Sequence, residues 1–387
     1  MTEAFRKIRI GMIGGGHNAF IGEVHRLAAR MDDRFELVAG CFSADYQKSK
    51  KFGTGLGLDS ARIYRTPSEM ASAEAEKENG IEVAVIVTPN NLHFDQAKTM
   101  IMAGFHVICD KPITSDLRQA EELERLVNLS GVHFMVTYNY SGYPMVREAR
   151  EIIASGRLGK LRVVQVEYPQ EWLATDIEAS GQKQAAWRTD PSQAGEGGAI
   201  GDIGTHAYHL AEFVTGEEPH SLLADLDSFV LGRVLDDNGH ILLRYASGLK
   251  GMLWASQVAC GHENGLRLRV YGEQGSLEWC QETPNFLEFK PLGGSTNTLT
   301  RGGPGLGMLA NESTRIPAGH PEGFIEGFAN LYRDFADYLQ ESSNKSNRVG
   351  KDFLPSVTDG VNGVRFVNAA VASSKAGSVW RSLNSTL

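Results

Sequence analysis

Ile10-Gly-Met-Ile13-Gly14-Gly-Gly16-His-Asn-Ala19 is the stretch that decides the fold. An apolar run enters it, so Lys7–Ile13 reads as a strand. Ile21–Met31 leaves it with Ile21, Val24, Leu27, Ala28 and Met31 at helical spacing, and reads as a helix with those residues inward. Between the two, Gly14 permits a tight turn and Gly16 permits a pyrophosphate to come close. That pyrophosphate would sit on the helix N-terminus, where backbone N–H groups and the helix dipole favour an anion. The third position of the pattern is irregular. Strict counting gives Gly14-x-Gly16-x-x-Ala19, whereas Gly22 takes the packing role if the turn is longer. A glycine-rich turn in this strand-to-helix context points to a dinucleotide held by Gly14, Gly16, Ala19, Phe20 and Ile21.

Outward from this turn the strand–helix unit repeats. Phe35–Phe42 and Val83–Thr88 read as further strands, the second broken by Pro89. Asn91–Ala103 reads as a helix ended by Gly104, and His106–Asp110 as another strand. Such repetition makes a parallel sheet covered by helices. Residues 1–130 are therefore expected to form a dinucleotide-binding Rossmann domain. An acid at the end of the second strand would bond both ribose hydroxyls and repel a 2′-phosphate. Here Phe42 holds that position, Asp45 comes late, and Ser43 can bond either a hydroxyl or a phosphate. The expected cofactor is NAD, with NADP left open.

After about residue 130 the pattern becomes strand-rich, with runs at Val132–Tyr138, Leu161–Tyr168, Ser228–Leu231, His240–Tyr245, Leu249–Gln257, Arg267–Gly272 and Ser276–Cys280. Turn segments such as Asp237-Asn-Gly239 separate several of them. This predicts a second α/β domain, residues 131–387, built on a large and mostly antiparallel open sheet. Residues 291–320 are rich in Gly, Ser, Thr and Pro and read as a surface excursion, before closing helices at Glu322–Gln340 and Thr358–Ala376.

Composition narrows the function classes. A chain of 387 residues is long enough for two cores. Its net charge of -9 comes from 38 basic and 47 acidic residues without a basic block, which argues against nucleic acid as partner. The apolar runs are strand-length, so no membrane span is expected. Met1–Gly11 lacks the long apolar segment of a secretory leader, which leads to the expectation of a cytoplasmic protein. Cys41, Cys109, Cys260 and Cys280 are widely spaced and read as reduced thiols. His17, His25 and His93 fall in different elements without ligand spacing, so no metal is expected.

Two stretches carry chemistry. Asp110-Lys111-Pro112 ends a strand on the edge where open α/β sheets bind ligands, so Lys111 can reach a reacting oxygen, with Pro112 able to use a cis bond. A solvent-facing lysine is the bland alternative. In Gly198-Ala-Ile-Gly-Asp202-Ile-Gly-Thr-His206, a carboxylate and an imidazole four residues apart share a helix face and suit proton transfer. A capping or core histidine is the alternative there. The polar, aromatic segment from Gln170-Glu-Trp172 to Trp187-Arg188-Thr-Asp190 reads as a sugar-binding loop, or else as core tryptophans.

Thr88-Pro-Asn-Asn-Leu-His93, Ala103-Gly-Phe-His-Val-Ile-Cys-Asp-Lys-Pro112 and Gly197-Gly-Ala-Ile-Gly-Asp-Ile-Gly-Thr-His206 together resemble the motifs of the glucose–fructose oxidoreductase/inositol dehydrogenase (Gfo/Idh/MocA) family. The resemblance runs nearly end to end. It implies a hydride transfer between a nicotinamide cofactor and a secondary hydroxyl of a cyclic polyol or sugar. It also implies a homo-oligomer, dimer or tetramer, through the open sheet. Cofactor contacts implied are Ser43, Thr88, Pro89, Asn91, His93, Asp110 and Lys111. Lys111, Asp202 and His206 are implied as catalytic, with Tyr138, Asn139, Trp172, Trp187 and Arg188 joining them around substrate. His206 is the expected base in oxidation, Lys111 bonds the same oxygen, and Asp202 holds a second hydroxyl and orients the others; Lys111 as proton acceptor stays open.

The sequence departs from the family pattern at Asp110, where Glu is usual, at Ser141, where Arg is common, and at His209, where Asp is frequent. The longer first turn, His17-Asn-Ala-Phe20, is similar to that of a subgroup containing scyllo-inositol and related sugar dehydrogenases. Two other readings are a glycoside-cleaving enzyme acting through transient oxidation with tightly held NAD, and a non-catalytic dinucleotide- or sugar-sensing protein.

Overall fold

The structure is a computed structural model that describes residues 6–341 and 353–383. The chain divides into two compact units, Met1–Asn139 with Phe324–Val361, and Tyr140–Gly323 with Asn362–Leu387. The expected boundary at residue 130 therefore moves to Asn139, and a late segment returns to the first unit.

The first unit is a five-stranded parallel sheet of β1 (Ile8–Gly14), β2 (Phe35–Cys41), β3 (Val83–Val87), β4 (His106–Cys109) and β5 (Phe134–Val136), in the order β2-β1-β3-β4-β5. Helices α1 (Phe20–Met31), α2 (Tyr46–Gly55), α3 (Pro67–Ala75), α4 (His93–Met102) and α5 (Leu117–Ser130) connect the strands. All five residues of β3 are buried, as a strand covered on both faces requires. The run Val132–Tyr138, expected in the second domain, supplies β5. Its Phe134, Met135 and Val136 are buried and pair parallel with Val107, Ile108 and Cys109.

Helix α1 is rotated from the expected face. Leu27 and Met31 are 42% and 40% exposed, whereas His25 and Ala29 are buried. The cause is the helix Phe324–Glu341, which packs on α1 with Phe328 and Tyr332 against the His25 ring. His25 Nδ1 lies 2.7 Å from the Tyr332 hydroxyl, and burial pushes its pKa down to about 4. An unfolded histidine titrates near 6.5. Between those values the unfolded chain binds a proton that the folded chain refuses, so stability falls on acidification from about pH 6.5 towards about 4. In His25→Phe, melting temperature measured against pH should decline less steeply over that window. An unchanged slope would assign the acid sensitivity to other groups.

The second unit is a nine-stranded sheet in the order β13-β12-β11-β10-β6-β9-β8-β7-β14. Its strands are β6 (Leu161–Pro169), β7 (Pro219–Asp227), β8 (Asn238–Tyr245), β9 (Lys250–Ser256), β10 (Arg267–Gly272), β11 (Gly275–Cys280), β12 (Phe286–Pro291), β13 (Asn297–Thr300) and β14 (Arg381–Ser382). All neighbours are antiparallel except β6 and β9, which run parallel. Buried and exposed residues alternate along β8 and β12, the sign of a sheet packed on one face. Helices α6 (Pro144–Ala154), α7 (Lys183–Arg188), α8 (Thr205–Thr215) and α9 (Met308–Glu312) complete this unit, with α8 lying on β6 and β9.

Two expectations fail here. Ser228–Leu231 is a loop, because Phe229 and Val230 give their N–H groups to the Asp237 carboxylate instead of a neighbouring strand. Phe229 and Leu231 are left 67% and 97% exposed. The excursion at 291–320 contains β13 and α9 and is pinned by the buried Arg301, which bonds Asn285, the Ile316 carbonyl and Glu322. Among the described residues no helix is long and apolar enough to cross a membrane.

Candidate active site

In the first unit, Gly14 and Gly15 adopt φ of +85° and +70°, which only glycine takes without strain. A Cβ on Gly22 would lie 2.3 Å from the Gly15 Cα, so Gly22, and not Ala19, seats α1 against the turn. A Cβ on Gly16 would stand 2.5 Å from the Phe42 carbonyl oxygen, so Gly16 is also needed for the approach of β2. Helices α2, α3 and α5 are capped by Asp45, Thr66 and Asp116, but α1 begins at Ala19 with no side-chain cap. Its first N–H groups, from Phe20 and Ile21 onward, form a glycine-lined end that fits the pyrophosphate of a dinucleotide. The Phe20 side chain turns aside to stack on Phe324 at 6.5 Å.

At the ribose position Phe42 is core, packed edge-on against Phe52 at 5.3 Å. Asp45 spends its carboxylate on the α2 N-terminus, accepting from Gln47 and Lys48 N–H groups at 2.9 and 3.2 Å. Ser43, whose Oγ accepts from the Asp45 N–H at 3.2 Å, is the polar side chain nearest the strand end.

Several sequence candidates brace the strand ends. Thr88 donates through Oγ1 to Gln96 at 2.7 Å, and Asn91 is exposed on the short turn Asn90–Leu92 that follows Pro89. His93 is fully buried, with Nδ1 2.7 Å from the Pro112 carbonyl and Nε2 2.8 Å from the Thr88 carbonyl. Both ring nitrogens of His93 are thus engaged with backbone carbonyls inside the protein. Burial lowers its pKa, and a neutral ring can donate to only one of the two carbonyls. Asp110 is likewise a brace, accepting from the Lys111 N–H and the Thr137 hydroxyl, both at 2.9 Å. The Lys111–Pro112 bond is cis. Lys111 is half-buried at this strand end, Tyr138 is buried, and Asn139 carries a buried Nδ2 to which no described residue bonds.

In the second unit, Asp202 sits in a π-helical turn, Ile200–Gly204, and His206 in the first turn of α8. Such turns recur at functional sites. Asp236 holds this one, accepting from Gly198 N–H at 2.7 Å and Ile200 N–H at 2.8 Å, while its carbonyl accepts from Ala199. A Cβ on Gly198 would meet that carbonyl at 2.0 Å, which explains a glycine there. Burial raises the Asp236 pKa to about 6 against the opposing effect of those donors.

Arg188 and Asp202, expected to touch substrate separately, are paired: Arg188 Nε donates to Asp202 Oδ2 at 3.1 Å. Gln257 Nε2 donates to the same oxygen at 2.8 Å. The Arg188 guanidinium lies 4.2 Å from the Trp187 ring centre and 5.8 Å from that of Trp172, so both tryptophans flank it instead of filling a core. His206 is mostly buried and meets the edge of Tyr140 at 5.1 Å and of Tyr168 at 6.5 Å. The two tyrosine hydroxyls bond each other, and burial pushes Tyr140 up to about 12, so both stay neutral around the imidazole. His209 is buried and stacks on Phe213. Ser141 gives its carbonyl to the buried Arg147, at 2.9 Å from Nε. Sequence reasoning missed Tyr168, Asp236 and Gln257, whose contacts are long-range.

Residues 8–138 match the family model described as an oxidoreductase family with an NAD-binding Rossmann fold, and residues 146–278 match the model of the GFO/IDH/MocA C-terminal domain. The chain belongs to the GFO/IDH/MocA oxidoreductase family. This GFO/IDH/MocA protein is 36% identical to the uncharacterized oxidoreductase YfiI of Bacillus subtilis, over 97% of this chain and 96% of that one. It is similar to the crystal structure of an oxidoreductase from Sinorhizobium meliloti, with 48% identity, a TM-score of 0.88 and coverage of 97% and 99%. It is also similar to an inositol dehydrogenase homolog from Azotobacter vinelandii complexed with NADH and myo-inositol, with 36% identity, a TM-score of 0.90 and coverage of 97% and 98%. Like its family, it is an NAD-binding oxidoreductase with a Rossmann unit and a second, mostly antiparallel sheet.

Proposed function

We propose that this protein is an NAD-dependent dehydrogenase of a secondary hydroxyl on a cyclic polyol or sugar, inositol-like or pyranose. The observation that carries the reading is the second unit's cluster, in which Trp172 and Trp187 flank the Arg188 guanidinium that pairs with Asp202, four residues before His206. Aromatic faces with a few fixed polar groups suit a hydroxylated ring. The Azotobacter homolog's complex with NADH and myo-inositol supports the substrate class.

The Phe20 and Ile21 N–H groups at the α1 N-terminus would hold NAD, which would supply the hydride acceptor for the carbinol carbon. The His206 imidazole takes the hydroxyl proton, since its ordinary pKa lies near working pH. The Lys111 ammonium bonds the same oxygen and stabilises the negative charge that develops there. The Asp202 carboxylate, paired with Arg188, accepts from a second hydroxyl, which orients the ring. Tyr138 and the Asn139 amide bind further hydroxyls. Ser43 would bond the adenosine ribose, and Thr88, Pro89 and Asn91 would help to hold the cofactor. The outward side of the large sheet, where Val163, Leu242, Met252 and Tyr271 are exposed, is the face through which we infer that copies associate.

The test is to mix the protein with NAD or NADP and a panel of inositols, aldoses and anhydrosugars, and to follow reduced nicotinamide. Turnover with one or two of them is expected. No turnover across the panel, with cofactor still bound, would overturn the reading in favour of transient oxidation or sensing.

A further inference from the structure

Gln257 follows β9 and is buried. Three of its polar groups reach three separate segments. The side-chain Nε2 donates to Asp202 Oδ2 at 2.8 Å, the backbone N–H donates to the Asp237 carbonyl at 2.8 Å, and the backbone carbonyl accepts from Leu173 N–H at 3.0 Å. Leu173 adjoins Trp172. Asp237 belongs to the loop whose Asp236 holds the Gly198–Ile200 turn, and whose buried Arg233 donates to the Leu173 carbonyl at 2.9 Å and to Asp237 at 3.0 Å. A single residue therefore joins the carboxylate, the tryptophan loop and the loop that anchors the π turn.

We propose that Gln257 is a positioning residue for the oxidation, its amide fixing the rotation of the Asp202 carboxylate while its backbone holds the Trp172 loop in register with it. The inference rests on the dehydrogenase reading above. An amide suits the task because it donates to an ionised carboxylate without adding charge. Arg188 from α7 shares the same oxygen, the neutral Tyr140 and Tyr168 hydroxyls feel the Asp202 charge, and Asp237 is paired with Arg233.

Gln257→Glu keeps the shape and exchanges the donor for a second carboxylate. Two carboxyls at hydrogen-bond distance share a proton, so the pair gains a raised ionisation. When protonated, the new carboxyl donates to Asp202 as the amide did; when ionised, it repels it. In Gln257→Glu, kcat/KM should fall at least tenfold below wild type at about pH 8, with the variant-to-wild-type ratio recovering towards about pH 6. In Gln257→Ala the loss should be similar and the ratio independent of pH. NAD affinity, read by direct binding, and the cooperative melt should remain in both. A Gln257→Glu variant with wild-type kcat/KM at both pH values, or with a loss that ignores pH, overturns the positioning role alone. A wild-type protein that oxidises no sugar of the panel overturns the dehydrogenase reading and this role with it.

Discussion

Lys111→Ala and His206→Ala are each expected to lose roughly 10²–10⁴ in kcat while binding NAD as wild type does. The loss has a different origin in each. Lys111 removes the positive charge beside the oxygen that becomes negative, so kcat and kcat/KM should fall together. His206 removes the proton acceptor, so the residual rate should also lose the ionisation near its pKa. Asp110 braces the backbone at Lys111 by accepting from the Lys111 N–H and the Thr137 hydroxyl, and these bonds are untouched by truncating the Lys111 side chain. His206 packs edge-on to Tyr140 and Tyr168, so His206→Asn is the companion that keeps more of that volume. Steady-state kinetics against pH, with NAD binding by calorimetry or fluorescence, checks both variants. Near-normal turnover in either would reject that residue's role.

Gly22→Ala is expected to weaken NAD binding by roughly a hundredfold, about 2.8 kcal/mol, and to destabilise the first unit by about 1–3 kcal/mol. The new Cβ would lie 2.3 Å from the Gly15 Cα and 2.7 Å from its carbonyl oxygen, and neither backbone atom can step aside as a side-chain tip would. The α1 N-terminus must lift off the turn, taking with it the N–H groups proposed to hold the pyrophosphate. Gly55→Ala is the control, since a Cβ there meets nothing within 4 Å. Equal NAD affinities for Gly22→Ala and Gly55→Ala would mean that the turn does not hold the phosphates.

Much of this was legible in the residues because the signals are local. A strand, a glycine turn and a helix follow one another within the reach of φ, ψ and side-chain period, so the Rossmann start and the order of β1 to β4 could be read directly. The Asp202–His206 spacing was legible for the same reason, although the turn between them is π-helical. The misreadings share a different cause. Leu27 and Met31 looked inward until the distant helix carrying Phe328 and Tyr332 claimed the His25 side of α1. Ser228–Leu231 looked like a strand until Asp237 took its N–H groups.

The chain's own pattern thus determined the fold class, the glycine turn that opens α1 and the stretches that carry Lys111, Asp202 and His206, since each depends on neighbours in sequence. Tertiary structure alone decided that Gly22 seats the helix, that Arg188 pairs with Asp202, and that Gln257 shares that oxygen from 55 residues away. A buried polar atom must find a partner wherever the fold supplies one, and no sequence period encodes that choice.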